Sequence, residues 1–429
     1  MEFLEVGEKI KRVRKKLNMK QRELQDENIT RALISMIEIG KRKPSKKNME
    51  SIISKFQKKA QKLNIPFELG LSYFLRNAKD DAQVYCSEIL NGTVSMGQIM
   101  DVIEIANKYE LSRILGDTYL KLADKRFENL DYINSQVDYI NALENCKNIN
   151  LNDKIPYIYN MLGRCCINQA QNIQALNYFN FAYHYSILYC DDEIKKKAVY
   201  NIALCNKKLD KIEDALTYID IYVSICDKEK DFLVYSYANI LKANCYDCQG
   251  QVDRSVEVLN KLLKEFSNNA HPLIGYIYND LGLLYFKQGC FEKSLECFNV
   301  SQAIRTEKDM QHLSHTLIEK SILYVQKNLY TEAINLIKSA INLAKKYNDI
   351  EYILRGYYEL IKIYKLLKSD EEIQDNYIEI LNLLTSNNLE SYRDEIIKVC
   401  IELMRISLSH SDIEQSIKVL GKLENIYGE

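Results

Sequence analysis

Apolar residues along the first sixty positions recur at helical spacing. Val6, Ile10, Val13 and Leu17 fall three or four apart among lysines and arginines, which predicts an amphipathic helix over residues 5–17. Residues 20–27 read as a short second helix with Leu24 inward, and residues 28–30 as a turn. Thr30 suits the N-cap of a third helix, RALISMIEI, with Ile34 and Ile37 on its buried stripe. Gly40 stands where a C′ glycine would end that helix. Ser45 then opens a fourth helix through Phe56, with Met49, Ile52 and Ile53 facing inward.

Beyond residue 66 the helical period continues, with a longer period laid over it. A small residue recurs inside an apolar segment at Gly70, Gly116, Gly163, Ala203, Ala243, Gly282 and Ser321, with weaker echoes near Ile361 and Met404. From 163 to 361 the gaps are 39 or 40 residues. Leu281, Gly282, Tyr285, Gly289, Ser294 and Phe298 mark one unit; Leu162, Gly163, Ala175, Phe179 and Ala182 mark another, and Leu69, Gly70, Tyr73 and Ala82 a third. These offsets resemble the tetratricopeptide repeat, whose small residue lets two helices approach and whose aromatics fill the space between pairs. The standard motif spans 34 residues, so each pair here gains about six, nearly a turn per helix. Nine pairs fit from about residue 66 to the end, with an insertion expected around residues 125–134. The resemblance implies a right-handed superhelix whose concave wall is lined by the first helix of each pair.

Composition agrees with an all-α chain, read as a four-helix head over residues 1–65 followed by the repeat array over 66–429. Only 4 Pro and 14 Gly occur in 429 residues, few for a loop-rich or β-rich fold. With 47% hydrophobic and 27% charged residues, wholesale disorder is excluded. The N-terminus has no signal-peptide pattern and no run approaches the ~18 apolar residues of a membrane span, so a cytoplasmic protein without membrane association is expected. The 12 Cys then read as small buried hydrophobes rather than a disulfide framework.

Charge changes the picture. The net charge of −1 conceals a basic head: residues 1–66 carry 18 Lys or Arg against 8 Asp or Glu, while the remainder carries 40 against 51. A basic end on an acidic body is the footprint of a chain offering that end to a polyanion.

The run Gln21, Leu24, Ile34, Ser35, Ile37, Glu38, Gly40, Lys41, Pro44, Ser45 resembles the Cro/repressor-type helix-turn-helix family. The glycine usual between helices 2 and 3 is absent and the turn is one residue short, which is similar to the pheromone regulator PlcR rather than to phage repressors. The resemblance implies that the third helix enters the major groove of double-stranded DNA, with a palindromic operator as target. Arg31 is the leading base reader, since a guanidinium can grip guanine O6 and N7 together. Thr30, Ala32 and Ser35 share its end of the helix. Lys41, Arg42, Lys46 and Lys47 are placed to neutralise phosphates. Gln21 is expected to touch the DNA backbone or brace the third helix, and Glu38 to brace the fold.

A long-helix array behind such a head resembles the Gram-positive peptide-pheromone receptors, the group of Rap, Rgg, NprR, PlcR and PrgX. The resemblance implies a homodimer or larger assembly that binds a short, extended signalling peptide in the array. An unstructured peptide exposes unpaired N–H and C=O groups, and an Asn side chain can meet both. Tyr159-Asn160, Tyr200-Asn201 and Tyr278-Asn279 fall at nearly the same point of three repeats, with Asn239 and Asn244 between. Arg164, a turn beyond Asn160, could meet a peptide carboxylate.

Catalytic signals are weak. Cys245 and Cys248 form one isolated pair, and His312 and His315 lack the glutamate and spacing of a zinc-protease helix and are expected to face solvent. No phosphate loop or nucleophile elbow is present, so neither a cofactor nor enzymatic activity is expected. The leading reading is a peptide-controlled transcriptional regulator. The alternatives are a Rap-like protein that sequesters or dephosphorylates a response regulator, and a phage lysogeny regulator of the arbitrium type.

Overall fold

The computed structural model describes residues 2–266, 271–386, 393–409 and 416–421. Among these residues there are helices and no strand, with one isolated bridge between Asp26 and Ile29. None of the described helices is long and apolar enough to cross a membrane. The chain divides into two compact units, Met1–Cys226 and Asp227–Glu429.

The first unit opens with the head: α1 (Val6–Lys16), a 3-10 turn (Gln21–Leu24), α2 (Arg31–Glu38) and α3 (Lys46–Lys62). Ile10, Leu24, Ile29, Ile34, Met49, Ile52 and Phe56 are fully buried at its centre. Thr30 and Ser45 cap α2 and α3, accepting from the backbone N–H of Leu33 and Asn48 at 3.2 Å each. Gly40, at φ 73°, closes α2 by donating to the Ile37 carbonyl, as a C′ glycine should.

The unit continues through α4 (Leu71–Leu75), α5 (Ala78–Leu90), α6 (Met96–Lys108), α7 (Ser112–Glu128), α8 (Tyr132–Asn148), α9 (Ile155–Asn168), α10 (Asn172–Leu188), α11 (Asp192–Lys208) and α12 (Ile212–Ile225). The second unit holds α13 (Phe232–Cys248), α14 (Val252–Glu265), α15 (Pro272–Lys287), α16 (Phe291–Lys308), α17 (Leu313–Gln326), α18 (Tyr330–Lys346), α19 (Ile350–Leu367), α20 (Asp370–Ser386) and α21 (Arg393–Ser409). From α7–α8 to α19–α20, each odd-numbered helix packs on the next to form a regular pair. α5–α6 precede this series, and α21 with a helical stretch at 416–421 follows it.

The small-residue position sits where those paired helices touch. A Cβ on Gly163 would lie 2.5 Å from the Phe179 ring, and one on Gly282 would lie 2.7 Å from Phe298. Ala203, Ala243 and Ser321 are fully buried at the same point of their repeats. The spacing alone did not reveal a second regularity. Ser135, Ser255 and Ser294 donate from their hydroxyls to the carbonyls twelve residues earlier, those of Ala123, Ala243 and Gly282, at 2.8, 2.8 and 2.6 Å. These buried bonds tie the second helix of a pair to the first.

Five expectations need correcting. The second head helix is one 3-10 turn, because Gln25 is extended and Asp26 accepts from the Asn28 N–H at 2.8 Å, a local bond that competes with helix. Gly70 is not a repeat position: it precedes the five-residue α4, nothing approaches its Cβ site, and Phe74 of α4 is buried against Phe56 in the head's core. In α7 the position belongs to the fully buried Ala123 rather than to Gly116, whose Cβ would meet Cys146 at an ordinary 3.4 Å. The insertion around residues 125–134 is absent, since α7 runs on to Glu128 and a tight turn with Leu130 at φ 63° leads directly into α8. His315 does not face solvent; it bonds Asp349 at 2.7 Å and stacks on Tyr352 at 3.4 Å.

Gly282→Val should drive its branched side chain into the Phe298 ring and cost about 1–3 kcal/mol by overpacking. Thermal unfolding followed by circular dichroism should show a midpoint several degrees lower. Gly250→Asn, at a left-handed turn with open space, should unfold close to the unaltered chain; equal midpoints for all three would contradict the packing described.

Candidate DNA-reading head and repeat-face asparagines

α2 is held as a rigid presenting element by its C-terminal residue. Glu38 is buried and accepts from Arg14 Nε at 2.5 Å, Arg14 Nη2 at 3.0 Å and Gln21 Nε2 at 2.8 Å. Arg14 also donates to the Met19 carbonyl at 2.8 Å. Burial pushes the Glu38 carboxyl up, but the bonds from Arg14 and Gln21 outweigh it and leave the group below its ordinary range. Gln21 therefore braces α2. The glycine-free turn before α2 is pinned from α3: Ser51 Oγ and Lys55 Nζ donate to Asp26 at 2.5 and 2.7 Å, and Lys55 also reaches the Leu24 carbonyl at 2.8 Å.

This bracing leaves the opposite face of α2 open. Thr30, Arg31 and Ala32 are exposed and Ser35 is half-exposed at the helix N-terminus. Lys41, Arg42, Lys46 and Lys47 are all exposed between α2 and the start of α3. Lys11, Arg12 and Lys15 of α1, not singled out from the sequence, line a cleft of about 520 Å³ together with Glu5, Glu8, Glu38, Ile39 and Gly40.

The residue most obscured in the sequence is Lys9. Read as one more basic residue of α1, it is only 1% exposed. Its ammonium donates to the Tyr73 and Arg76 carbonyls at 2.8 and 2.7 Å, pairs with Asp81 of α5, and lies 4.6 Å from the Tyr73 ring centroid. Arg76 also bonds Asp81, at 2.7 Å. Phe3 packs between Tyr85 and Tyr109 at 5.6 and 5.5 Å, and its N–H donates to the Tyr109 hydroxyl at 3.1 Å. The head is thus fastened to α5 and α6 at two points.

The expected asparagine row is only partly assembled. In the first unit, Asn201 Nδ2 donates to Asn160 Oδ1 at 3.0 Å, so the two face each other across α9 and α11, with Asn160 only 3% exposed. Arg164 is exposed, its guanidinium 4.6 Å from the Phe127 ring centroid, a cation–π contact that turns it toward α7. In the second unit, Asn239 is not a free donor, because it bonds its own helix at the Tyr235 carbonyl, 2.9 Å away. Asn244 is half-buried. Asn279 is buried rather than surface-lining, and its Oδ1 has no hydrogen-bond partner.

These features define a class: a helix-turn-helix head carried on an array of tetratricopeptide-type helix pairs. Residues 10–63 match a family model described as helix-turn-helix. Over 82% of this chain and 100% of the other, the fold matches the apo form of the quorum sensor NprR from B. thuringiensis, with a TM-score of 0.53 and 18% identity. The apo form of RapI matches over 63% of this chain and 99% of its own, with a TM-score of 0.45 and 17% identity. Response regulator aspartate phosphatase E of Bacillus subtilis (strain 168) is 25% identical over 132 residues, 30% of this chain. The match spans only 33% of that relative's length. The likeness to the NprR structure is one of fold.

Two outcomes test the head's bracing. Lys9→Met should leave the Tyr73 and Arg76 carbonyls without their donor and Asp81 with Arg76 alone, at about 3–5 kcal/mol. Limited proteolysis should then cut between residues 62 and 78 well before the unaltered chain is cut; equal protection would show that the latch is dispensable. Glu38 has a lowered folded pKa, so its contribution is present above the ordinary value of 4.5 and lost as pH falls through the lower folded value. The unaltered chain should therefore lose more stability than Glu38→Gln on acidification below about 4.5, read by thermal melting at each pH.

Proposed function

We propose that the chain is a transcriptional regulator that binds operator DNA through its helix-turn-helix head and is controlled by a short linear peptide bound on the array. The observation that carries the reading is the combination of an exposed Arg31–Ser35 edge in a matched helix-turn-helix domain with an array folded like that of a quorum sensor. Arg31 would read guanine, Thr30, Ala32 and Ser35 adjoining groups, and Lys41, Arg42, Lys46 and Lys47 the phosphates. On the array, Asn160 and Asn201 are the favoured peptide contacts. Their mutual hydrogen bond pairs one donor with one acceptor, and an extended backbone offers the same two groups in exchange. Arg164 would take a carboxylate. Asn239, Asn244 and Asn279 are secondary candidates, the first and last needing to exchange or gain partners. As a DNA regulator it would act in the cytoplasm and as a homodimer on a palindrome.

A second reading, control of a response regulator by binding or dephosphorylation, draws on the 132-residue similarity to the aspartate phosphatase. It gives the basic head no task and is not favoured.

Fluorescence anisotropy with DNA from upstream of the chain's own gene tests the first reading. Arg31→Ala should weaken binding by about 1–3 kcal/mol and relax preference at one base position, while Lys46→Ala should weaken all sequences alike and flatten the salt dependence. Asn160→Ala with Asn201→Ala should leave DNA binding intact and reduce affinity for a short peptide encoded beside the gene at least tenfold. No binding to any such DNA, with or without the peptide, would refute the reading.

A further inference from the structure

We propose that Ser51 and Lys55 of α3 set base preference indirectly, by fixing the turn that aims Arg31, and that Lys55 is not a phosphate contact. The inference rests on the DNA-binding reading above and adds positioning residues to it.

α3 is firmly seated in the head. Its Met49, Ile52 and Phe56 are fully buried, and Ser45 caps its first turn. Ser51, Lys55 and Lys59 stand four apart and so share one face of it. All three reach back to the segment before α2. Ser51 Oγ and Lys55 Nζ both donate to Asp26, at 2.5 and 2.7 Å. Lys55 Nζ also donates to the Leu24 carbonyl at 2.8 Å, and Lys59 Nζ to Glu23 at 3.2 Å.

The turn held in this way leads straight into the reading edge. Asp26 and Ile29 exchange backbone bonds at 3.1 and 3.2 Å, closing a tight loop over Glu27 and Asn28. Ile29 is fully buried, Thr30 caps α2, and Arg31 is its first residue. The far end of α2 is fixed separately, through Glu38. A guanidinium grips guanine through two bonds at once, which demands a set direction of approach. A small tilt of the first turn of α2 would spoil that grip and leave the core intact.

By charge alone Lys55 would be counted among the phosphate-binding lysines. Lys46 and Lys47, at the start of the same helix, are exposed. The Lys55 side chain is only 21% exposed, and its ammonium is engaged by a carboxylate and a carbonyl. A lone exposed ion pair contributes little. Here a hydroxyl, an ammonium, the Leu24 carbonyl and the Asn28 N–H converge on one carboxylate and its turn.

Fluorescence anisotropy across a salt series separates the two roles for Lys55. The probes are DNA from upstream of the chain's own gene and its single-base-pair variants. Lys55→Met should cut preference at the base pair that Arg31→Ala relaxes by at least about fivefold, the low end of what a bidentate pair supplies. Its salt dependence should keep the slope of the unaltered chain. A phosphate contact would instead flatten that slope by about 0.9 and spare the preference. A head that was merely less stable would weaken binding to all sequences in equal proportion, because a smaller competent fraction scales every dissociation constant alike. Ser51→Ala should move the preference in the same direction, to a smaller extent. A flattened slope or an unmoved preference in Lys55→Met overturns the inference and leaves the regulatory reading standing. Should that variant not fold, Ser51→Ala decides on the same two readouts. An unaltered chain that binds none of this DNA would refute the regulatory reading and this inference with it.

Discussion

A single buried ammonium fixes how the head sits on the first helices of the array. Lys9 gives up nearly all its water, and the desolvation is offset only because two carbonyls and Asp81 surround it. Such a cluster tolerates little sliding: a small displacement would leave a buried charge unpaired. Phe3, seated between Tyr85 and Tyr109, fixes a second point some turns away on α5 and α6. Two points of attachment restrict rotation as well as translation. The head therefore moves with α5 and α6, unlike a bead on a flexible tether.

The same economy of polar groups governs the rest of the first unit. Glu38 satisfies Arg14 and Gln21, which closes one side of α2 and leaves its N-terminal edge without internal obligations. Asn201 donates to Asn160, which gives the buried Asn160 carbonyl oxygen a partner on the neighbouring first helix. Asn279 of the second unit behaves differently. It is equally deep, yet its carbonyl oxygen has no hydrogen-bond partner, a state that costs about 1–3 kcal/mol unless a water or another donor reaches it.

Much of this was legible in the sequence, and the limits have physical causes. Helix caps and the glycine-dependent close approaches depend on local residue type, so Thr30, Gly40, Ser45, Gly163 and Gly282 could be placed from spacing alone. Gly70 misled because a small residue after a leucine carries no information about whether a partner helix lies opposite. The serines at 135, 255 and 294 recur at the repeat period and could have been noticed, since a buried hydroxyl at a fixed offset announces a fixed carbonyl partner. Lys9 could not. Its burial depends on Asp81 and on the carbonyls of a segment some seventy residues away, and helical periodicity is blind to such pairing. The asparagines fall between these cases: their repeat register was readable, but whether each amide bonds a neighbour or its own helix depends on side-chain geometry.

For a regulator of the proposed kind, the latch constrains how a signal could travel. An effector shifts an equilibrium only by its differential affinity for two states. A head that swivelled freely would offer no second state for an array ligand to prefer. With the head fixed to α5 and α6, any change in the stacking of α9 on α11 passes through packed helices to the head, since α6 to α11 contact one another in sequence. Replacing the Asn160–Asn201 bond by bonds to a ligand alters the contact between these two helices at no net loss of hydrogen bonds. The free-energy cost of that exchange is small, so coupling of about 1–3 kcal/mol would suffice to bias two arrangements. A rigid latch and a replaceable bond are thus complementary: one transmits position, and the other leaves room for position to change.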